Sequence, residues 1–401
     1  TGASGTNTIT IKPAATVTAT ISGSSSTSIF KLNGADYVII DGSNSGSTSK
    51  DLTITNTNTG TSSAVVWLGS ASVSNGATNN TIKNCIVTGN APTTTYAGLI
   101  SSSGTTIGAA AQIANANNTY NNNTVNTAYY GIVVIGPTGN ESGTVISGNL
   151  IGSATAGNKM GGIGILVNNQ SGVSVTGNTI FGVTTSTDYT VSGIYVSGTQ
   201  SGGTISGNNI SDIKNTSSNL YDANGIYLGS SSTTASIDIY NNIIFDITGV
   251  GDDTYLYYNG HGIVLYSGGG YNIYSNTVNM NTNQTGGLSS AIYITSSLVT
   301  AASVNIRNNI FANTQTAGVN AGKRYAIYCA AANTIFGTIN HNDYYSSGTH
   351  LGYRGSNRTT LAEVVTGFGG NANSISALPS FTSATDLHLT AAGNCSLNNA
   401  G

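Results

Sequence analysis

The sequence is poor in charged residues, which make up 6% of its 401 positions against roughly 25% in an average soluble protein. Its 11 Lys and Arg residues form no run or stripe, and the formal net charge is −3. Because phosphate backbones are bound mainly through clustered basic residues, this composition argues against nucleic acid as a partner. Gly, Ser, Thr and Asn fill most polar positions, so the surface is expected to be wetted by hydroxyls and amides.

Long hydrophobic runs are also missing. The longest, such as "AVVWL" (64–68) and "GIVVIG" (131–136), are far shorter than the roughly 20 residues that a membrane-spanning helix needs. The chain starts without an initiator Met or a signal peptide. We therefore expect no membrane span, and we expect an exported chain whose targeting segment has been removed.

Only three cysteines are present, Cys85, Cys329 and Cys395, and their spacing is not that of a zinc site. In a repeat fold, Cys85 and Cys329 would lie many repeats apart, too far for a disulfide bond. Pairing of Cys329 with Cys395 stays open, because it requires the C-terminal segment to fold back.

A pattern of the form apolar-x-x-Asn-x-apolar recurs along the chain, with spacings of 26, 29, 30, 34, 34, 33 and 33 residues. A second pattern, typified by "GIYV" and "GIYL", lies 14–18 residues before each Asn. Two short period-2 segments repeated about every 30 residues predict a parallel β-solenoid. The recurring residues are Asn123, Asn149, Asn178, Asn208, Asn242, Asn276, Asn309 and Asn342.

These asparagines are predicted to form a structural ladder. Each lies between two inward apolar residues, where an unpaired amide would be costly. Strands of successive coils stack about 4.8 Å apart, so each amide can hydrogen-bond to the next along the axis. We therefore assign the ladder a structural role and no binding role.

The phrase "NNTIKNCIVTGN" (79–90), the "GIYV"-type coils and the closing segment 342–394 resemble the right-handed parallel β-helix proteins secreted by Bacteroidota. The resemblance implies an all-β fold, an extracellular or cell-surface location and export by the type IX route. It also implies an adhesin or filament context, in which further segments of a precursor flank the chain.

The predicted fold is a single right-handed parallel β-helix of about eleven coils. Residues 1–60 are expected to form the first coils and an N-terminal cover, 61–345 the central helix, and 346–401 the C-terminal cap. Uncovered coil ends would expose strand edges and associate end to end. Thr360 precedes Glu363 by three residues, a capping-box spacing that predicts a short helix in the cap.

Acidic residues concentrate between positions 212 and 253. Asp212 and Asp246 each follow a ladder Asn by four residues, so they should lie one above the other at the inter-strand spacing. The neighbouring insertions carry Asp222, Asp252 and Asp253, with His261 close behind.

Three interpretations of this acidic region stay open. A polysaccharide lyase or glycoside hydrolase would use Asp212, Asp246, Asp252, Asp253 and His261 as acid, base or nucleophile. A structural calcium ion would be held by Asp212, Asp246 and Asp222. The third interpretation is a solvated loop edge without a ligand, and we favour this one or the calcium ion because Lys214 is the only nearby cation for an acidic sugar.

Tyrosines recur at one outward position of the second pattern, which predicts an exposed aromatic stripe for sugar or protein contacts. A loop insertion adds further tyrosines. The candidate ligand-binding residues are Tyr195, Tyr227, Tyr293, Tyr328, Tyr255, Tyr257 and Tyr258.

The sequence thus favours a non-catalytic extracellular module of an adhesin, surface layer or filament. Its expected partners are glycans or further copies of the chain. A carbohydrate-active enzyme is the alternative, and a simple glycan-binding module is a lesser one. No cofactor is expected apart from the calcium ion.

Overall fold

The computed structural model describes residues 3–219, 221–318, 321–390, 392–394 and 397. The chain divides into two compact units, one formed by 1–183 and 197–204, the other by 184–196 and 205–401. Each unit is a parallel β-solenoid, and the coils add up to about ten turns. The predicted all-β fold, a parallel β-helix of the right-handed type, is confirmed. The Cys329–Cys395 pairing lies outside the described residues, because Cys395 is not among them.

In the first unit, each coil contributes a strand to a main sheet and a strand to a corner sheet, and the strands pair parallel from coil to coil. The main-sheet strands are Ile9–Ile11, Ser28–Asn33, Val38–Asp41, Ser63–Ser70, Thr81–Lys83, Thr95–Ser103, Thr119–Asn121, Tyr130–Ile135, Glu141–Ser142, Val145–Ser147 and Ile163–Thr176. The corner strands are Ala19–Gly23, Leu52–Asn56, Cys85–Thr88, Thr124–Asn126, Leu150–Ile151 and Thr179–Ile180. Ala156–Asn158 is a short 3₁₀ turn, and two further strands, Val183–Thr185 and Val191–Ser206, belong partly to each unit.

The second unit repeats this organisation. Its main-sheet strands are Ala223–Ser230, Ile237–Tyr240, Gly260–Ser267, Tyr271–Tyr274, Ser289–Ile294, Val304–Arg307, Arg324–Cys329, Phe336–Asn340, Gly352–Arg354 and Ser356–Arg358. Its corner strands are Asn209–Ile210, Ile243–Phe245, Thr277–Met280, Ile310–Asn313 and Asp343–Ser346, and a third sheet contains Ile213–Asn215 and Ile247–Thr248. Phe381–Ser383 and Asp386–Leu389 form a hairpin, and Ala321–Lys323 and Asn333–Ile335 are 3₁₀ turns.

The core consists of aligned apolar columns, as the period-2 pattern predicts. In the second unit, one column is formed by Ile239, Ile273, Ile306 and Ile339, which are paired in register and buried. Burying each such side chain stabilises the fold by roughly 1.5–3 kcal/mol. Small residues leave space for the neighbouring column, since a Cβ added at Gly262 would lie 2.2 Å from a methyl group of Val278.

The asparagine ladder is present in both units. In the second, the Nδ2 amide of Asn242 donates to Oδ1 of Asn276 at 2.9 Å and to the carbonyl of Ile205 at 2.9 Å. Oδ1 of Asn242 accepts from the backbone and side chain of Asn208. Asn123, Asn149 and Asn178 repeat these bonds in the first unit. Each of these amides is thus hydrogen-bonded to the Asn of a neighbouring coil.

The chain turns sharply just before each ladder Asn, where the preceding residue has a left-handed backbone. Gly207 and Asn241 illustrate this, with φ of 63° and 52°. Gly and Asn adopt this conformation more readily than other residues, because a Cβ usually clashes there. The corner therefore explains the Asn/Gly-rich turns of the sequence.

The predicted C-terminal helix is α1, Leu361–Phe368. The Thr360 hydroxyl accepts from the Glu363 amide, and the Glu363 carboxylate accepts from the backbone of Thr360, so the capping box is complete. Val364 and Phe368 of the helix are buried. No helix among the described residues is long and apolar enough to cross a membrane.

Candidate functional site

Asp212 and Asp246 lie on successive coils of the second unit, as the spacing predicts, because the following residues Ile213 and Ile247 are paired in register. The ammonium group of Lys214 lies between them, 2.7 Å from Oδ1 of Asp212 and 3.1 Å from Oδ2 of Asp246. Burial alone would lower the pKa of Lys214, but hydrogen bonds and charge from the two carboxylates outweigh it and raise that pKa. A protein cation thus bridges the pair.

The backbone gives a structural reason for these two acids. Asp212 and Asp246 have φ of 50° and 54°, and Gly182 occupies the equivalent corner of another coil with φ of 66°. Asp is one of the few residues with a side chain that tolerates this left-handed conformation. The limited recurrence of Asp in this column therefore has a conformational cause.

The remaining catalytic candidates have separate local contacts. The Asp252 carboxylate accepts from the backbone N–H groups of Thr254 and Tyr255 and so shapes its own loop. Asp253 forms an exposed ion pair with Lys323. Neither contact brings Asp252 or Asp253 together with Asp212 and Asp246.

His261 is fully buried. Its Nε2 lies 3.2 Å from the carbonyl of Leu256, which requires an N–H at that position, and its Nδ1 accepts from the hydroxyl of Ser290 at 2.9 Å. Burial lowers the pKa of His261 to about 3, so the ring is neutral at physiological pH. Its imidazole stacks on the ring of Tyr293, which is a packing role.

The strand tyrosines stack in two pairs on the outer face of the sheet, Tyr195 with Tyr227 and Tyr293 with Tyr328, but the prediction that they are exposed is wrong for three of the four. Tyr227 is 9% exposed, Tyr293 and Tyr328 are also buried, and Tyr195 is half-buried. Tyr195 and Tyr227 stack in parallel with ring centroids 4.5 Å apart. The long insertions fold over this face and cover it, with Leu256 and Tyr257 packed against the buried cluster.

A cavity of about 170 Å³ opens where these insertions meet the tyrosine stack. The Tyr257 and Tyr258 rings are inclined by 57° with centroids 4.3 Å apart, and Tyr257 stands edge-on to Tyr266 at 70°. Tyr266 is 37% exposed, so the cavity communicates with solvent. Its lining residues are Thr190, Asp222, Tyr227, Tyr257, Tyr258, Val264 and Tyr266.

Asp222 is the charged group of this cavity and is only 3% exposed. Its two oxygens accept from the Thr190 hydroxyl at 2.7 Å and from the Asn224 amide at 2.6 Å. Burial raises the pKa of the Asp222 carboxyl to about 6, against the opposing effect of these hydrogen bonds. The carboxylate is therefore held in place and is ionised at neutral pH.

The sequence predicts that a calcium ion would be held by Asp222, Asp212 and Asp246. In the part of the chain that the structure describes, no group of three or more His, Cys, Asp or Glu side chains is arranged to hold a metal ion. The bridging Lys214 occupies the position between Asp212 and Asp246. Calcium binding stays a prediction that these contacts do not favour.

A shallow polar cleft of about 650 Å³ lies on the same insertions, lined by Ser186, Thr187, Asp188, Tyr189, Ser217, Ser218, Asn219 and Tyr221. The Asp188 carboxylate accepts from Ser217 and Asn219, each at 2.6 Å. The Tyr221 ring lies 5.1 Å from that of Tyr258, so the cleft adjoins the cavity. The cleft itself is lined by hydroxyl groups, the Asn219 amide and the Asp188 carboxylate.

Sequence reasoning identified Tyr227, Tyr257 and Tyr258 as candidate ligand residues but missed Thr190 and Tyr266, which also line the cavity. Tyr266 is the next-to-last residue of the strand Gly260–Ser267, where its pattern is that of an ordinary outward residue. Its contact with Tyr257 depends on how the 251–259 insertion folds. No sequence pattern predicts that fold.

Comparisons with known proteins identify the fold but not a family. No protein-family model matches the chain, and no curated protein matches it. A tailspike protein variant of E. coli bacteriophage HK620 in complex with a pentasaccharide has a similar structure, with 12% identity, a TM-score of 0.51 and coverage of 88% of this chain and 58% of the tailspike. A second variant of that tailspike has 13% identity, a TM-score of 0.50 and the same coverage.

The chain thus spans 58% of the length of the tailspike proteins that it matches. The A-module of a mannuronan C-5 epimerase from Azotobacter vinelandii is also similar, at 15% identity over 93% of this chain and 91% of that module, but its TM-score is 0.44. At these identities the likeness extends to the fold alone. This chain is a parallel β-helix with tailspike-like architecture.

Proposed function

We propose that the protein is a non-catalytic, extracellular β-helix module that binds glycans. The observation that carries the proposal is the cavity lined by Tyr227, Tyr257, Tyr258 and Tyr266 around the buried Asp222 carboxylate. An aromatic-lined pocket with a few fixed polar groups and a perturbed titratable residue is the usual form of a small-ligand site.

The chemistry of this cavity suits a sugar ring. Tyrosine faces offer apolar contact to the ring's C–H groups, and phenol and carboxylate oxygens accept its hydroxyl protons. The cavity is smaller than the roughly 300 Å³ of drug-sized pockets, so it would admit one sugar residue. The adjoining cleft, with Asp188, Tyr189 and Asn219, would contact the residues that follow.

The non-catalytic part of the proposal rests on the carboxyl groups. Glycoside hydrolysis ordinarily needs two carboxyls about 5–9.5 Å apart, and Asp222 is the only carboxyl among the described residues that line the cavity. Asp212 and Asp246 share Lys214. A binding role requires none of these groups to react.

The extracellular part rests on likeness alone. A tailspike of the same fold has been solved with a bound pentasaccharide, and the sequence resembles secreted β-helix proteins of Bacteroidota. The pentasaccharide complex supports glycan contact, and the sequence resemblance is the basis for proposing an adhesin-like module exported by the type IX route.

The test is a screen of neutral, acidic and amino-containing oligosaccharides by calorimetry, followed by variants with the best ligand. We expect Tyr266→Ala, which removes a partly exposed wall of the cavity, to weaken binding about tenfold. Tyr274→Ala is the matched control, because Tyr274 belongs to another stacked pair, with Tyr240, outside the cavity. Its affinity should equal that of the parent protein.

Three results would contradict the proposal. They are the absence of binding across the screen, an equal loss in both tyrosine variants, and turnover of any bound oligosaccharide. Turnover that disappears in Asp212→Ala and Asp246→Ala would favour the catalytic alternative instead.

A further inference from the structure

We propose that the group entering the tyrosine-lined cavity is an ammonium group, carried by a glycan as an amino sugar or as a choline-type substituent. The inference rests on the proposed glycan binding and specifies its ligand chemistry. It follows from the charge of the cavity and from the arrangement of its rings.

Asp222 carries a charge that its hydrogen-bond partners do not balance. Its partners are the neutral Thr190 hydroxyl and Asn224 amide. In the described ranges of the chain, no Lys, Arg or His forms an ion pair with Asp222, whereas the acidic pair Asp212 and Asp246 shares Lys214. A buried carboxylate is costly unless a cation offsets it. A ligand cation in the cavity would supply that offset.

Four tyrosine rings line the cavity. The Tyr257 ring is inclined to those of Tyr258 and Tyr266 by 57° and 70°, whereas Tyr266 stacks on Tyr227 with an interplanar angle of 29°. Rings inclined in this way can offer electron-rich faces to one group from more than one direction. Such faces attract ammonium and trimethylammonium groups, and this attraction is strongest where water is excluded.

Acidic and neutral sugars suit the cavity less well than a cationic group. An acidic sugar would need a cation at the cavity, and Lys214 is already bound by Asp212 and Asp246. The carboxylate of an acidic sugar would instead lie close to the carboxylate of Asp222, and like charges repel. A neutral sugar would fit the cavity but would leave the Asp222 charge unbalanced.

The experiment compares ligands of equal shape and different charge on the full chain. Choline is titrated against 3,3-dimethylbutan-1-ol, in which carbon replaces the charged nitrogen, and glucosamine against glucose. We expect the charged member of at least one pair to bind about tenfold tighter or more. The choline and glucosamine arms show which source carries the ammonium group.

Variants separate charge from shape. Asp222→Asn keeps the size of the side chain and should abolish the preference for the charged ligand, and Tyr266→Leu should reduce it about tenfold. Tyr266 is partly exposed, so this second variant is informative even where the first does not fold. Parent-protein affinity for choline should be constant above pH 7 and fall below about pH 6, because protonation neutralises Asp222.

The inference is overturned by equal affinities within both ligand pairs, or by a charge preference that persists in Asp222→Asn. Neutral oligosaccharides that bind with no charge preference would leave the proposed function intact and refute only the inference. Choline that binds while no saccharide does would support an ammonium site in the cavity and refute the proposed glycan binding.

Discussion

Glu141 is a fully buried acid in the first unit, with 0% of its surface exposed. Its oxygens accept from the backbone N–H of Asn115 at 2.9 Å and from the Thr144 hydroxyl at 3.1 Å. Burial raises the pKa of the Glu141 carboxyl from 4.5 to about 7, although these bonds and one from Gln170 act against the rise. The acid therefore stays protonated in the folded chain at pH values where it is ionised in the unfolded chain.

The sign of the pH effect follows from this difference. Between pH 4.5 and about 7 the folded state binds the proton more tightly, so the free energy of unfolding falls as pH rises. The difference between 4.5 and about 7, at 1.36 kcal/mol per pH unit, amounts to about 3 kcal/mol. The full cost is present above pH 7 and absent below pH 4.5.

Glu141→Gln removes the titration but keeps the shape. Its new amide lies near Gln170, whose Oε1 has no hydrogen-bond partner among the described residues. We expect the variant to match the parent protein at pH 4 and to be more stable by about 3 kcal/mol at pH 8. The reference value for each pH is the parent protein in the same buffer.

Denaturation followed by the fluorescence of Trp67, the only tryptophan, provides the assay. Trp67 is buried in the same unit as Glu141, so the signal reports the relevant part of the chain. Asp222 and Asp343, buried acids whose pKa values are also raised by burial, lie in the other unit. Parallel pH profiles for the parent protein and the Glu141→Gln variant would refute the reasoning.

Two further predictions concern the second unit, where far-UV circular dichroism in denaturant is the readout. Asn242→Ala removes the side-chain hydrogen bonds that Asn242 forms with Asn208 and Asn276 and should lower the free energy of unfolding by about 3 kcal/mol. Asn209→Ala, at an exposed neighbouring position, should change it by less than about 0.5 kcal/mol. Asp212→Gly should change stability by less than about 1 kcal/mol, since the left-handed corner accepts Gly. Asp212→Val should lower stability by roughly 2 kcal/mol, because a branched side chain is strained there. Equal losses in either pair of variants would contradict these assignments.

The coil, the ladder and the helix cap were predictable because each depends on local chemistry repeated in register. The eight ladder positions combine period-2 apolar residues with a central Asn, and no other arrangement satisfies that buried amide so simply. Likewise, the capping box that begins α1 is formed by Thr360 and Glu363, which lie within four residues of each other. Such features need no knowledge of distant parts of the chain.

The burial of the tyrosine stack was not predictable, because it depends on how irregular insertions fold. Alternation places Tyr227 and Tyr293 on the outer face, which is correct, but the loop with Leu256 and Tyr257 then covers that face. Asp222 was predicted in a group with Asp212 because they are close in sequence. The corner turns Asp212 toward Lys214, and Asp222 lines the cavity instead.

Tyrosine ring NMR of the isotope-labelled protein, with the tightest saccharide from the screen at saturation, would locate the bound ligand. We expect the largest chemical-shift changes on Tyr227, Tyr257, Tyr258 and Tyr266, the tyrosines that line the cavity. Tyr240 and Tyr274, stacked on another part of the sheet, should not change. Shifts confined to Tyr240 and Tyr274, or no shift at all, would contradict this expectation.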